Sequence, residues 1–241
     1  MCFHTSNTKT AKENERRFDA SFNIPEVFDP YYHFAGYEKR NFYIIKQNEF
    51  DNIEPAYWGL MPENLNINER TKYLSEYHTY NARAENIFKS RLYNQFAMNQ
   101  RCIILSDGFY EPHKVDGSSI PQYCKYKDHG LFAFAGLYSE LDDDVYTATI
   151  ITTIANPFFE KIHNVKKQGT FRMPLVLADY DEVEWLNSDL RQGDIEELLF
   201  SFTPKEFEAY PVSQDINYGN RYTNRPDIIN KVDYNELNTL F

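Results

Sequence analysis

Four residues carry the chemistry this sequence can offer: Cys2, Asn81, Glu111 and His163. A small residue behind the initiator Met1 predicts removal of that methionine, which would leave Cys2 with a free α-amine beside its thiol. With ordinary pKa values of about 8 and about 8.5, both groups are partly nucleophilic near neutrality. A 1,2-aminothiol can condense with an aldehyde through its amine and then close through sulfur on the imine carbon, giving a five-membered thiazolidine. Glu111 ends the run Asp107-Gly108-Phe109-Tyr110, where burial would raise its pKa and suit it to acid–base work. His163, in Lys161-Ile162-His163-Asn164, offers a second acid–base group. Asn81 precedes Ala82-Arg83-Ala84, whose small alanines leave room for a partner. Together they form a nucleophile, a polar orienter, a proton shuttle and a second acid or base, the set nucleophilic catalysis requires. Each also has an ordinary reading: a frayed terminus, a turn or cap residue, a salt-bridged carboxylate, a structural imidazole. Trp58 and Phe109 could stack a base or simply fill the core.

The elements that must position them read mainly as strands. Apolar, β-branched runs predict strands at 42–46, 56–60, 101–110, 123–126, 131–137, 146–153, 174–178 and 208–212. The turn at Asp107-Gly108 interrupts the third of these. Short helices are expected at 11–18, 157–163 (with Pro157 in its first turn), 181–186 and 194–200, and a moderately amphipathic one over 86–100. Residues 63–80 read as a polar loop, 5–40 as a loosely packed arm and 216–241 as a polar tail. Alternating βαβ units are absent, which argues against a doubly wound sheet. The expectation is a single α+β domain over 1–241, with a curved, mainly antiparallel, barrel-like sheet flanked by short helices.

Composition narrows the function classes. At 241 residues, 42% hydrophobic and 17% aromatic, the chain can bury a substantial core and is not disordered. No apolar run approaches the roughly 20 residues of a membrane span, and the first residues lack a signal-peptide core, so a cytoplasmic protein is expected. Three cysteines without CxxC spacing argue against a disulfide framework or a structural zinc site. No metal or other cofactor is expected. A net charge of −11 argues against a protein coated in nucleic acid. The basic residues are uneven, however: Arg83, Lys89, Arg91 and Arg101 fall in one stretch and Lys161, Lys166, Lys167 and Arg172 in another, which leaves a local basic groove open.

The sequence resembles the SOS-response-associated peptidase family, the SRAP domain. The resemblance rests on Met1-Cys2, Trp58-Gly59-Leu60-Met61-Pro62, Asn81-Ala82-Arg83-Ala84-Glu85, Arg101-Cys102-Ile103 with Asp107-Gly108-Phe109-Tyr110-Glu111, Phe132 to Leu137, Thr149 to Asn156, Ile162-His163-Asn164 and Arg172-Met173-Pro174, in that order. It implies removal of Met1 and covalent capture, by Cys2, of abasic sites in single-stranded DNA. On that resemblance Asn81 would hold the adduct, Glu111 would shuttle protons and His163 would assist imine formation and reversal. Arg83 and Arg172 would contact phosphates, Trp58 would line the site, and Phe3 could stack beside it. A monomer in the cytoplasm, nucleoid-associated during repair, is implied. Three departures stand out. Phe3 and His4 stand where the family usually has glycine and arginine, Pro112 replaces a usual tryptophan, and Val165 to Phe171 separate Asn164 from Arg172. A cysteine amidohydrolase using Cys2, His163 and Asn81 is the rival from another class. A non-enzymatic single-stranded-DNA binding module is the third reading.

Overall fold

The computed structural model describes residues 2–25, 28–38, 40–141 and 145–235. Residues 1, 26–27, 39, 142–144 and 236–241 lie outside them.

The most apolar stretches become the innermost strands. Strand β7 (Arg101–Ser106) is buried along its whole length and β10 (Phe132–Leu141) along nearly all of it. Both faces of these strands are covered, so they read as continuous apolar runs. Around them lie β4 (Asn41–Lys46), β5 (Glu49–Trp58), with the short β2 (Ser21–Phe22) parallel at its edge, and β11 (Val145–Ile154). The pairing order β11–β10–β7–β4–β5 is antiparallel, and β5 returns in parallel to β11 at Tyr146–Ala56 to Ala148–Trp58, which closes a ring of strands. Two short strands extend β11: β6 (Asn81–Arg83), parallel, and β12 (Arg172–Pro174), antiparallel. The fold is α+β, mostly curved sheet with a few short helices.

A second, five-stranded sheet runs in the order β13 (Phe207–Pro211), β9 (Ser118–Tyr126), β8 (Gly108–Val115), β1 (His4–Asn7) and β3 (Tyr31–Ala35). Only Asp107 separates β7 of the ring from β8 of this sheet. Its carboxylate accepts from Ser6 Oγ at 2.7 Å and Thr8 N at 3.1 Å, so the corner between the sheets also grips the end of β1. Gly108 is required there: a Cβ would run into the Tyr123 ring and hydroxyl.

Several stretches differ from their sequence reading, among them the strand expected at 174–178, which lies instead at β12 (Arg172–Pro174) with an isolated bridge at Val176. The described part of 5–40 is not a loose arm, since β1 is paired on both sides, with Thr5 opposite Phe34 and Phe109. The helix expected at 11–18 is present as α1 (Ala11–Phe18), closed by a capping box between Thr10 and Glu13. The polar stretch 63–80 holds a helix, α2 (Ile67–Tyr77), capped by Asn66. It is largely exposed and offers too few apolar positions to show a period. Conversely, 86–100 breaks into turns around α3 (Asn94–Ala97), because Ser90 Oγ accepts from Tyr93 N and competes with the helix ladder. The tail is structured as far as it is described: Ile216 and Ile228 bury against Tyr110, Tyr123 and Val212.

Three further helices, α4 (Pro157–Ile162), α5 (Asp179–Leu186) and α6 (Gln192–Leu198), fall where expected within a few residues. Among the described residues no helix is long and apolar enough to cross a membrane.

The Gly108 contact generates a test. Gly108→Ala should overpack the corner by about 1–3 kcal/mol and lower the thermal midpoint by several degrees, roughly 2–4 °C per kcal/mol in a chain of this size. A melting curve unchanged within a degree would show that the corner can relax.

Candidate active site

Cys2 enters the fold immediately before β1, so strand pairing fixes its position. His4 pairs with Tyr110 of β8, and the antiparallel register carries the chain toward Glu111 as it runs back to Cys2. From the other side Asn81, on β6, donates through Nδ2 to the Cys2 carbonyl at 2.9 Å. The buried Oδ1 of the same amide has no hydrogen-bond partner among the described residues. Asn81 is itself held from behind. Trp58 Nε1 donates to the Tyr80 carbonyl at 2.8 Å, and Tyr93 Oη donates to the Asn81 carbonyl at 3.2 Å.

Glu111 and His163 meet at 2.6 Å, Oε2 to Nδ1, with both side chains almost wholly buried. His163 comes from the end of α4, whose start is set by Asn156: its Oδ1 accepts from Phe158 N and Phe159 N, with Pro157 in the first turn. The other end is tied to β8. Asn164 Oδ1 accepts from Lys114 N at 2.8 Å, its Nδ2 donates to Lys114 O at 2.8 Å, and His113 Nδ1 donates to the Ile162 carbonyl at 3.0 Å. Asn164 thus copies a strand partner for one residue and delivers His163 to Glu111.

The electrostatics divide the site into a charged and a neutral half. Burial would push the Glu111 carboxyl up, but the positive amino terminus of the chain and the His163 hydrogen bond outweigh it, so the group stays below the usual carboxylate range. Burial first, then the Glu111 charge, push the Cys2 thiol well up. The sulfur is fully enclosed and donates weakly to the His4 carbonyl at 3.5 Å. A thiol in this setting is neutral at pH 7. Beside it His4 Nδ1 and His33 Nε2 lie 2.9 Å apart, and His33 Nδ1 lies 2.7 Å from Thr223 Oγ1. Burial lowers His4 to about 4 despite the opposing pull of Glu111, and lowers His33 to about 3, with His4 adding to the effect.

The four residues Cys2, Asn81, Glu111 and His163 therefore converge from β1, β6, β8 and the end of α4. The residues expected to contact DNA are placed less uniformly. Phe3 is partly exposed and meets Tyr80 edge-on, ring centres 6.0 Å apart. Arg83 is partly exposed and reaches Gln168, in the tight turn Lys167–Thr170 of the extra segment. Gln168 and Gly169 both take positive φ in that turn. Lys166 and Lys167 beside it are exposed.

Arg172 is buried, its guanidinium shared between the Glu85 carboxylate and Thr152, whose carbonyl it meets at 2.7 Å. Burial would raise Glu85, but this partner holds it below the usual range. A guanidinium so paired reaches a phosphate only by breaking that pair. Trp58 is 2% exposed and stacks on Phe42, so it supports Asn81 rather than presenting a face. Phe109 is core, packed among Phe132, Phe134 and Phe159. Arg101 is buried too, its guanidinium spent on the carbonyls of Trp185, Ala97, Met98 and Asn187, so it adds nothing to a groove.

Tyr93, Asn164, His33 and Thr223 were not singled out as site residues from the sequence. Asn164 alone carried a signal, its place next to His163. All three cysteines are free and buried. Among the described residues no group of His, Cys, Asp and Glu is arranged to hold a metal ion.

The neutral histidine pair makes stability depend on pH. Both imidazoles have folded pKa values below the ordinary 6.5, so the unfolded chain binds more protons between about pH 4 and 6.5. Their contribution is fully present above pH 6.5 and is lost as the pH falls toward 4. Thermal unfolding followed from pH 7 to 4.5 should show the midpoint falling, and His33→Gln should flatten that fall. Equal slopes for the two proteins would remove the pair from the account.

Comparison with known proteins gives the family and the fold. The sequence model of the family described as SOS response associated peptidase (SRAP) matches residues 1–218. The abasic site processing protein YoqW of Bacillus subtilis is 34% identical over 192 residues, 77% of this chain and 80% of that protein. YoaM of the same organism, also named an abasic site processing protein, is 36% identical over 72% of this chain and 74% of its own length. A crystal structure of a Bacteroides thetaiotaomicron protein superposes with a TM-score of 0.84 at 29% identity, covering 96% of this chain and all of that one.

Proposed function

The chain belongs to the SOS response associated peptidase (SRAP) family, and on that premise we propose that it captures abasic sites in single-stranded DNA covalently through Cys2, once Met1 has been removed. The observation that carries the proposal is the convergence on Cys2: Asn81 on its carbonyl, with the Glu111–His163 pair at the other side. Relatives named for abasic site processing supply the substrate class.

Each group has a task its surroundings suit. Hydrolysis of the Met1–Cys2 amide, using one water, frees the Cys2 amine. The unpartnered Asn81 Oδ1 is an acceptor for that amine and orients its lone pair. An abasic sugar is mostly a closed hemiacetal; Glu111, kept ionised, takes the anomeric hydroxyl proton and returns it to the ring oxygen, which opens the aldehyde. The amine adds to the aldehyde carbon and the carbinolamine loses water to give the imine, His163 handing the proton to the departing oxygen. The sulfur then bonds to the imine carbon and its proton passes to nitrogen, closing the thiazolidine. One water is released overall in this capture.

The raised thiol pKa sets the order of events. The sulfur stays protonated until an imine stands beside it, so the amine acts first. This is unlike a thiol protease, in which a histidine ionises the sulfur from the start. Here His163 Nδ1 is engaged by Glu111. DNA contacts fall to the exposed groups, Arg83 with Lys166 and Lys167 along the phosphates and Phe3 at the lesion. Arg172 acts as the buried brace of Glu85 and β6.

Incubation of Met1-processed protein with an oligonucleotide bearing one abasic site should give a band stable to denaturation. Cys2→Ala should give none, and absence of the band with the parent protein would overturn the proposal. Glu111→Gln and His163→Ala should slow its formation on the order of 10²-fold, the range of a lost proton-transfer group. If three phosphates are neutralised, initial binding should weaken roughly 20-fold between 50 and 200 mM salt. A salt-independent association would remove Arg83 and the lysines from the contact.

A further inference from the structure

A cavity of about 760 Å³ opens beside α2, mostly apolar in lining, and none of the capture chemistry uses it. We propose that it is a nucleobase pocket that receives the base of one nucleotide adjoining the captured abasic sugar. The proposal rests on the capture reading above and names the neighbouring base as part of what the site recognises.

Place is the first argument. Two walls of the cavity are Phe3 and Tyr80, which touch edge-on. Phe3 is bonded to Cys2, and Tyr80 to Asn81, the residue holding the Cys2 carbonyl. The cavity therefore begins one residue along the chain from Cys2 and one residue from Asn81. A sugar fixed to Cys2 leaves its neighbouring nucleotide within reach of that wall and nowhere far from it.

Chemistry is the second. Tyr37 and Tyr57, at the rim, are among the large side chains this protein leaves exposed, at 56% and 41%. Aromatic faces on a strand path stack bases of any identity. Its volume falls within the range of small-ligand sites.

A purely greasy cavity would hold no polar group aimed inward. This one is lined by Arg70, whose Nε is buried without a hydrogen-bond partner among the described residues. Native folds rarely leave such a donor unsatisfied, and base edges are rich in acceptors.

The fold maintains the cavity by a local device. Leu74 of α2 packs over Gly59, where a side chain would collide with it and where φ is +120°. Gly59 thus lets α2 sit as a lid at one fixed height, with Arg70 and Leu74 a helical turn apart on the face toward the cavity.

The test uses single-stranded oligonucleotides with a non-reactive tetrahydrofuran at the lesion position, so binding is read by fluorescence anisotropy without capture. Four versions carry bases on both flanks, on the 5′ flank only, on the 3′ flank only, or on neither. Loss of the base on one flank should weaken binding about fivefold or more, the lower end of base-on-aromatic stacking, and loss on the other flank should not. Ser75→Trp, at an exposed position of α2 that lines the cavity, should fill it, keep the parent melting temperature, bind the intact oligonucleotide as weakly as the parent binds the base-less one, and lose the flank dependence. Equal affinity for all four versions, or a Ser75→Trp protein that keeps the flank dependence, would overturn the pocket, including the case in which the cavity takes a peptide or a lipid chain instead. A covalent band with a reactive abasic site, formed without flank dependence, leaves the capture reading standing. Flank-dependent binding without a band leaves the pocket standing, and neither result overturns both.

Discussion

A carboxylate and an imidazole 2.6 Å apart, both nearly without solvent, are the constraint this fold is built to satisfy. Removing a carboxylate from water costs several kcal/mol before a hydrogen-bond partner returns anything. The structure offsets that cost with position rather than with more charge. Glu111 sits in the middle of a sheet, on a strand paired to β1 and β9, and cannot turn toward water. His163 is delivered by a helix of one and a half turns, tied at its start by Asn156 and at its end by Asn164.

That requirement explains why the first residues of the chain are not free. An N-terminal nucleophile on a frayed terminus would search a large volume, and its effective concentration near the carboxylate would be low. Here β1 is only four residues long, yet it is bonded on both edges and pinned at its far end by Asp107. Asp107 belongs to the buried corner that joins the ring to the second sheet, so the position of Cys2 is referred to that corner. The described part of the tail serves the same end at longer range: Thr223 meets His33, and His33 meets His4.

The strands and the four convergent residues were readable in the sequence because their signals are local. Apolar runs such as Cys102 to Leu105 announce buried strands, and Asn156-Pro157 announces a helix start. Residue type alone marked Cys2, Asn81, Glu111 and His163 as a possible set. What was not readable depends on contacts distant in sequence. Nothing in His4-Thr5-Ser6-Asn7 says that it is a central strand, because its partners lie near residues 31 and 108. Arg101 and Arg172 look like groove residues beside other basic ones. Their burial follows from carbonyls at Trp185 and Asn187 and from Glu85. The helix α2 hides for another reason: one polar face and a half-open cavity ask for very few apolar residues.

The departures from the usual family pattern become one coherent adjustment when placed in space. An arginine at position 4 would bring a permanent charge to the neighbourhood of Cys2 and Glu111. His4 in this burial is neutral instead, held by a second neutral histidine. The positive charge lost there has no substitute inside the site, where Arg172 is already committed to Glu85. It reappears outside, on Lys166 and Lys167 of the extra segment, whose turn is joined to Arg83 through Gln168. Phe3 in place of glycine adds an aromatic wall next to Cys2 on the side of the α2 cavity. On the proposed reading, attraction for a polyanion rests on this exposed turn rather than beside the buried nucleophile, and salt screens it more strongly there. The site itself is left to geometry and stacking. The capture proposed for Cys2 would tolerate that exchange, because an encounter that ends in a covalent bond need last only long enough for the amine to find its aldehyde.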